Sequence, residues 1–237
     1  HHNISTVGLI GGGSNPQPGE VTLAHRGALF LDEFNEFPRK ALESLRQPME
    51  DGELTIARSR ERVTYPAKFM LIAASNPCPC GYLNHPKKEC KCTRHQVKRY
   101  RRKISGPVLD RIDIQVKIPY VDIEKVSEQK NKNDLESSEE IRQKVVKARK
   151  IQKQRFADED IETNSEMKNE HVEKYCSLND KAEQILTQAS NKYGLSARSY
   201  FRVIKVARSI ADIEQEQNIK TPHITEALQY RVNTDSQ

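Results

Sequence analysis

Two adjacent acidic residues, Asp32 and Glu33, directly follow an apolar run in the stretch GALFLDEF, which is typical of a β-strand. Open parallel sheets bind ligands beyond the carboxyl ends of their strands. An Asp at such an end holds Mg²⁺, and an adjacent Glu polarises the water that attacks a phosphoryl group. The same acids would also suit a helix N-terminus, where negative charge complements the helix dipole. The pair alone leaves a phosphoryl-transfer site and a helix start as alternatives.

A second apolar run, FMLIAASNP, ends in Asn76, whose amide is suited to orient a water or contact a γ-phosphate. The run is continuous rather than alternating, which predicts a strand buried on both faces of a parallel sheet. Arg111, in SGPVLDRIDI, stands just before another predicted strand and is suited to reach a phosphate bound by a neighbouring subunit. Its alternative is a local ion pair with Asp110 or Asp113. Two apolar strands that both end in such groups favour a nucleotide site over coincidence.

Four of the five cysteines fall within fifteen residues, in CPCGYLNHPKKECKC, and are Cys78, Cys80, Cys90 and Cys92. Four thiolates are a usual ligand set of structural zinc. The spacing of one residue inside each pair is tighter than in standard zinc ribbons, so two disulfides or free thiols remain alternatives. His85 and His95 are additional candidate ligands. Cys176 stands alone and is predicted to belong to the core.

Basic residues are concentrated between Lys87 and Lys103, where Glu89 is the single acid. The candidate DNA-binding residues of this run are Lys98, Arg99, Arg101 and Arg102. The alternating stretch ELTIARSRERVTYP predicts a hairpin that carries three further candidates, Arg58, Arg60 and Arg62. Phosphate contacts would use both sets. A solvated basic helix and an exposed strand face are the respective alternatives.

The composition narrows the class of protein. Of the 237 residues, 35% are hydrophobic and 30% charged, with a formal net charge of +6 that favours an anionic partner. No apolar run approaches the roughly 20 residues of a membrane helix. The first residues lack the basic and apolar regions of a secretory signal. We therefore expect a cytoplasmic protein with no membrane partner.

The elements that must position these residues divide the chain into three parts. Residues 1–121 are predicted to form an α/β core, with strands in EVTLA, GALFLDEF, FMLIAASN and DIQVKIPY and helical spacing in RKALESLRQPMEDG. Residues 122–140 contain few apolar side chains and are predicted to be a polar connector. Residues 141–237 carry four helical patterns and are predicted to form an all-helical domain. Within it, Gly194 is predicted to end one helix and Thr221, followed by Pro, to cap another.

Several segments together resemble the magnesium-chelatase-like AAA+ ATPases of the ComM/YifB family. They are GLIGGGSNPQPGEVTLAHRGALFLDEF, LRQPMEDGELTI, AASNPCPCGY and SGPVLDRIDI, and they occur in the family's order and spacing. The resemblance implies a partial AAA+ P-loop NTPase core, with a parallel sheet and β-hairpin inserts, followed by an all-helical lid. Asp32 and Glu33 then resemble the Walker B acids, with Asp32 as a Mg²⁺ ligand. Asn76 resembles sensor 1, and Arg111 resembles the arginine finger.

The same resemblance assigns expectations to the rest of the chain. Arg198, in LSARSYFRVIKVA, resembles the sensor 2 arginine of the lid, and Arg202 is its alternative. The hairpin at residues 54–66 resembles the pre-sensor 1 hairpin, and GLIGGGSNPQPGEVTLA resembles the helix 2 insert. In hexameric relatives such hairpins line a central pore and grip DNA. The implied cofactors are ATP and Mg²⁺. The implied partners are DNA, single-stranded or branched, and further copies of the full-length protein in a hexameric ring.

One family motif is missing, because no G-x-x-x-x-G-K-[ST] occurs in the 237 residues. GGGSN has neither the following Lys nor a preceding strand, which predicts a loop. We expect the sequence to begin downstream of Walker A and the chain by itself to be inactive as an ATPase. Three functions stay open: a DNA-remodelling motor (helicase or branch migration in recombination and natural transformation), a magnesium-chelatase-type or protein-remodelling ATPase, and a non-enzymatic zinc-containing nucleic-acid-binding module.

Overall fold

A computed structural model describes four stretches of the chain, residues 2–13, 15–57, 62–121 and 136–231. The chain divides into two compact units, His1–Ile112 and Asp113–Gln237. The first is α/β and contains a parallel strand pair, and the second is helical, which confirms the predicted fold class. Most of the predicted connector, residues 122–135, lies outside the described residues, and the domain boundary at residue 121 stays a prediction. Among the described helices, none combines the length and apolarity needed to cross a membrane.

The first unit is built from short elements. Its helices are α1 Thr6–Ile10, α2 Glu20–Leu23, α3 Arg39–Ser44, α4 Arg46–Asp51, α5 Arg94–Arg101 and α6 Gly106–Leu109. Its strands are β1 Gly11–Gly12, β2 Gln17–Pro18, β3 Ala28–Leu31, β4 Glu53–Ala57, β5 Arg62–Pro66 and β6 Met70–Ala73. Among the described residues, β1 pairs with β2 and β4 with β5, both antiparallel, and β3 pairs with β6 in parallel.

The parallel pair β3–β6 is buried on one face. Leu29 and Leu31 of β3 are buried in the core of the first unit, to which α1, α3 and the turn after β3 also contribute. By contrast, Phe30 and Met70 are both 60% exposed. The prediction of a strand buried on both faces is therefore wrong for these residues. The physical reason is that, within the described chain, β6 has one neighbouring strand and the core covers one side of the pair.

Two predicted strands take other forms. EVTLA forms α2, because the amides of Thr22 and Leu23 bond to the Gly19 carbonyl and Val21 is fully buried. DIQVKIPY is not a strand in the described structure. The Gln115 amide bonds to the Tyr230 carbonyl at 2.8 Å, and its apolar neighbours are exposed rather than paired on a sheet.

The second unit contains five described α-helices, α7 Ser138–Arg155, α8 Asn169–Tyr175, α9 Asp180–Tyr193, α10 Ala197–Ile213 and α11 Thr221–Gln229. A capping box between Ser137 and Glu140 begins α7. Gly194 ends α9 in the left-handed conformation at φ 61°, as predicted. The predicted cap of α11 is wrong by one residue, because Lys220 is the N-cap and Thr221 is already helical.

A buried ionic cluster lies inside the second unit. Asp212, on α10, is fully buried and accepts hydrogen bonds from Arg155 Nη1 at 2.8 Å and Asn164 Nδ2 at 2.8 Å. Arg208 Nε donates to the same carboxylate at 3.1 Å, and the other nitrogens of Arg208 donate to two backbone carbonyls after α10. Two arginines and an amide therefore satisfy one buried acid, as a charge removed from water requires.

Candidate nucleotide site, metal centre and nucleic-acid interface

The acidic pair and Asn76 lie at the same edge of the parallel strand pair. In the β3–β6 register Leu31 stands opposite Ala73. The pairing continues past both strands, since the Ala74 amide bonds to the Leu31 carbonyl at 3.0 Å and the Phe34 amide bonds to the Ala74 carbonyl at 2.8 Å. Asp32, Glu33 and Asn76, which follow, are exposed. The structure thus brings the predicted Walker B and sensor 1 residues to one edge.

The backbone turns sharply at the acidic pair. Glu33 has a φ of 52°, in the left-handed region that costs a non-glycine residue about 1 kcal/mol or more. Asp32 Oδ1 accepts a hydrogen bond from the Glu33 amide at 2.8 Å, and Glu33 Oε2 lies 2.7 Å from His2 Nδ1. Phe34, the next residue, is buried. The turn therefore sends Phe34 into the core and leaves both carboxylates at the surface.

Asn35, which the sequence analysis missed, braces this edge from inside. It is 2% exposed, its Nδ2 donates to the Tyr100 carbonyl at 3.0 Å, and its Oδ1 accepts from Ser75 Oγ. One amide thereby links the end of β3, the end of β6 and helix α5. The signal that could have identified Asn35 is its position in the sequence between Phe34 and Phe37, both of which are buried.

Arg111 is held inside the first unit. Its side chain is 9% exposed, its Nε lies 3.1 Å from Glu50 Oε2, and its Nη1 donates to the Pro107 carbonyl at 2.8 Å. The sequence analysis named two other acids as local partners and did not foresee Glu50, at the end of α4. In the structure Arg111 stands close to this carboxylate, and its finger role stays a prediction.

The two candidate sensor 2 arginines occupy different environments within the second unit. Arg198 is exposed in the first turn of α10, two residues after the N-cap Ser196. Arg202, one turn later, is half-buried and forms an ion pair with Asp113. Arg202 is thus engaged in a contact internal to this unit, while the exposed position belongs to Arg198.

The four clustered cysteines converge on one point. The Sγ atoms of Cys78, Cys80 and Cys90 lie 3.5, 3.6 and 3.7 Å apart, and all four, with Cys92, lie within 4.8 Å of one another. A zinc ion with four Zn–S bonds of about 2.3 Å requires sulfur atoms about 3.8 Å apart at the corners of a tetrahedron. None of the five cysteines, all of which are described, forms a disulfide, and these separations are far longer than the disulfide bond of about 2.05 Å. The geometry fits a tetrathiolate metal centre.

Hydrogen bonds and burial around the cysteine cluster affect the thiols and His85 in different ways. A hydrogen bond with the Tyr82 backbone lowers the pKa of the Cys80 thiol to about 6, whereas burial raises the pKa of Cys92. His85 Nδ1 accepts hydrogen bonds from the amides of Lys87 and Lys88, both at 3.0 Å. His85 therefore shapes the loop between the cysteine pairs, and the converging donor group consists of the four sulfur atoms.

Helix α5 begins one residue after the cluster and ends against the core. Thr93 and Gln96 form its capping box, with bonds of 2.8 and 3.2 Å. Tyr100 is buried, and this burial, with a hydrogen bond to Glu36, raises the pKa of its hydroxyl. Arg101 Nε donates to the Pro77 carbonyl at 3.4 Å. The other three candidate DNA-binding bases, Lys98 and Arg99 in α5 and Arg102 at its C-cap, are exposed and are called the α5 face below.

The predicted arginine hairpin is confirmed as an antiparallel strand pair. Ile56 stands opposite Val63, and Ala57 opposite Arg62, which is exposed at the start of β5. Arg58 and Arg60 lie outside the described residues. Of the three candidate phosphate contacts in this hairpin, Arg62 is the one that the described residues include, and it lies within β5.

Comparison with known proteins relates the chain to one family. The family model "Magnesium chelatase, subunit ChlI" matches residues 1–126, and "Magnesium chelatase, subunit ChlI C-terminal" matches residues 135–231. The competence protein ComM of Haemophilus influenzae is 43% identical over 231 residues, covering 98% of this chain and 44% of ComM. The uncharacterized protein YifB of Salmonella typhimurium is 40% identical over 233 residues, with the same coverage. The magnesium-chelatase 38 kDa subunit of Acidiphilium rubrum is 34% identical over 61 residues, 26% of this chain and 18% of that subunit.

These matches extend through both compact units and confirm the resemblance drawn from the motifs. The chain spans less than half the length of ComM and YifB. Its α/β unit with a parallel strand pair, followed by a helical unit, is the partial AAA+ core and helical region expected of such a relative. The chain is a member of the magnesium chelatase ChlI family, similar over nearly its whole length to ComM and YifB.

Proposed function

We propose that this chain is part of a ring-forming, ATP-dependent motor that remodels DNA, by helicase action or branch migration in recombination and natural transformation. The observation that carries the proposal is the β3–β6 register, which places Asp32, Glu33 and Asn76 at one sheet edge. The relation to a competence protein over 98% of the chain supports DNA as the substrate. The ring is a homo-oligomer, expected to be a hexamer, and it works in the cytoplasm.

The proposed chemistry assigns one task to each group at this edge. Asp32 holds the Mg²⁺ of bound MgATP, and its exposed carboxylate is the hard oxygen donor that this ion prefers. Glu33 polarises the attacking water, and Asn76 orients it. The nucleotide, when bound, supplies the phosphoryl group that is transferred to water. Arg111 is the finger towards a neighbouring subunit, which requires it to exchange its Glu50 contact. Arg198 contacts the nucleotide from the lid.

The four cysteines hold a structural Zn²⁺ in this proposal. The sulfur separations of 3.5–3.7 Å among Cys78, Cys80 and Cys90 match the edges of a tetrahedral thiolate site, and Cys92 lies within 4.8 Å of them. The ion takes no part in phosphoryl transfer. Its task is to fix the loop that follows the Asn76 strand end.

The proposal is tested in the full-length protein with Glu33→Gln, which keeps the shape of the side chain and removes its charge. ATP hydrolysis is expected to fall about 100-fold or more, because the variant lacks the general base, while ATP binding is retained. Glu53→Gln, at an exposed position of β4, is the matched control and keeps activity. Full hydrolysis by Glu33→Gln would contradict the proposal. Hydrolysis that DNA does not stimulate would instead favour the chelatase-type or protein-remodelling ATPase.

A second function applies to the chain taken by itself. Because these 237 residues contain no G-x-x-x-x-G-K-[ST], we expect no ATP hydrolysis from this chain alone. Its cysteine cluster and basic helix favour a non-enzymatic zinc-containing nucleic-acid-binding module in that setting. Measurable ATP hydrolysis by the isolated chain, abolished by Glu33→Gln, would rule this reading out.

A further inference from the structure

A basic cleft of about 310 Å³ opens beside α5 in the first unit. It is lined by Arg39, His95, Lys98, Arg99, Arg102 and Lys103. Positions 95, 98, 99 and 102 recur at helical spacing, so one face of α5 forms most of the wall. Five cationic side chains therefore surround a volume large enough for a phosphate group.

The described acids near this cleft form ion pairs with Lys103 and Arg39 and not with the α5 face. Glu36 Oε2 pairs with Lys103 at 3.1 Å. Glu43 lies 3.9 Å from Arg39 and 3.2 Å from Arg46. Within the part of the chain that the structure describes, no carboxylate forms an ion pair with any base of the α5 face. Three positive charges thus remain for an external anion.

The cysteine cluster has its own compensating charge. A divalent zinc ion with four thiolates carries a net charge of −2. Lys87, Lys88 and Lys91 stand next to these cysteines in the sequence and would offset this charge. The α5 face is therefore not required to balance the metal centre.

Helix α5 is fixed at both ends. Its N-cap Thr93 directly follows Cys92, and the carbonyl of its buried Tyr100 accepts from Asn35 Nδ2 at 3.0 Å. Isolated helices of this length are marginal in water, so α5 depends on these attachments. Loss of the metal centre would release the N-terminal attachment.

We infer that the α5 face binds the phosphate backbone of nucleic acid, and that metal bound by the four cysteines holds α5 in place for this contact. The inference rests on the proposed function, in which DNA is the partner, and it assigns the contact to Lys98, Arg99 and Arg102. Arg101 is excluded from the contact because its guanidinium donates to the Pro77 carbonyl. Backbone contact of this kind is independent of base sequence.

The first test replaces the three bases together, as Lys98→Ala, Arg99→Ala and Arg102→Ala, in the full chain. The matched control is Lys147→Ala, Arg149→Ala and Lys150→Ala on exposed positions of α7, which removes the same charge. The probe is a fluorescently labelled single-stranded oligonucleotide, followed by anisotropy without ATP. The α5 variant is expected to bind about ten-fold or more weakly, and the control within about two-fold of the parent chain. Equal weakening of both variants, or of neither, overturns the inference.

The second test addresses the metal. Elemental analysis of chain purified without chelator is expected to find about one zinc per chain. Chelator treatment is expected to remove zinc and weaken oligonucleotide binding as much as the triple α5 variant, and added Zn²⁺ restores both. Cys90→Ser with Cys92→Ser is expected to lose zinc and binding, whereas Cys176→Ser keeps both. Absence of zinc, or equal binding by zinc-free and zinc-loaded chain, overturns the inference.

A third arm separates this inference from the proposed motor and from simple anion binding. Glu33→Gln in the full-length protein is expected to lose hydrolysis and keep oligonucleotide binding. Inorganic phosphate at matched ionic strength is expected not to displace the oligonucleotide, because a single ion lacks the repeated charges of the backbone. Displacement by phosphate alone would overturn the nucleic-acid assignment while leaving the ATPase proposal intact.

Discussion

Arg155 and Arg208 of the second unit converge on the buried carboxylate of Asp212, whereas the three bases of the α5 face line an open cleft in the first unit. Both sets are clusters of positive charge, and a count of residues would not distinguish them. In the first set the acid and Arg208 are buried, Arg155 is half-buried, and Arg208 also donates to two backbone carbonyls. The second has water and, by inference, phosphate as its partner.

The difference shows that burial determines whether a positive side chain pairs within the protein or can bind an external anion. A buried cation must be paired, because an unpaired charge in the interior costs several kcal/mol. An exposed cation has no such requirement and keeps its capacity to bind an external anion. The first arrangement holds a domain together, and the second is available for recognition. Three changes, taken from the largest expected effect to the smallest, test this contrast.

Removing the acid from the first set has the largest expected effect. Asp212→Asn keeps the shape of the side chain but leaves the buried Arg208 and the half-buried Arg155 without their counter-charge. We expect the free energy of unfolding of the helical unit to fall by about 3–5 kcal/mol. Urea unfolding followed by far-ultraviolet circular dichroism measures the change. Asp158→Asn, at an exposed position, is the control, and a loss below about 1 kcal/mol in Asp212→Asn would break the contrast.

The α5 face is expected to change recognition rather than stability. Replacement of its three bases by Ala removes about three phosphate contacts. The slope of log K against log salt for a single strand should then become shallower by about 2, at roughly 0.7 per contact. Oligonucleotide titrations at several salt concentrations measure this slope. An unchanged slope, or a large fall in the free energy of unfolding, would indicate that these bases stabilise the fold, as Arg155 and Arg208 do, and do not bind phosphate.

The ion pair between the exposed Lys174 and the half-buried Glu159 of the second unit provides the smallest effect. A hydrogen bond from Lys174, aided by one from Tyr175, lowers the pKa of Glu159 from 4.5 to about 2. The ionised form is therefore favoured in the folded state, and its stabilisation is complete above about pH 4.5 and lost as the pH falls towards about 2. Glu159→Gln is expected to flatten the decrease in stability across this window, whereas Glu170→Gln leaves it unchanged. Identical acid profiles for wild type and Glu159→Gln would contradict this assignment.

The functional strands were predictable because their signals are local. GALFLDEF and FMLIAASN form β3 and β6, and the parallel pairing of such strands brings their polar ends together. The prediction of a strand for EVTLA is wrong because so few residues fit both the helical and the strand periodicity. The hydrogen bonds to the Gly19 carbonyl that begin α2 involve backbone atoms, which the residue types do not reveal. DIQVKIPY alternates like a strand, yet alternation cannot supply a neighbouring strand to pair with.

The contacts that brace the candidate site could not be read from the chain. Asn35 joins Tyr100 and Ser75 across sequence separations of 65 and 40 residues. Glu50 meets Arg111 for a similar reason, since two helices far apart in sequence bring their ends together. The α5 face and Arg101 belong to one basic run, and only the orientation of the helix against the core separates them.

The sequence by itself determined the family, the acidic strand end, the four-cysteine cluster and the succession of an α/β part by a helical part, because each depends on residue type and short spacing. Tertiary structure decided which bases are enclosed, which acid holds Arg111, and that four sulfur atoms meet within reach of one ion. Those outcomes depend on burial and on distances between residues remote in sequence. The free energy of a charge is set by the solvent and partners around it, and only the folded chain defines them.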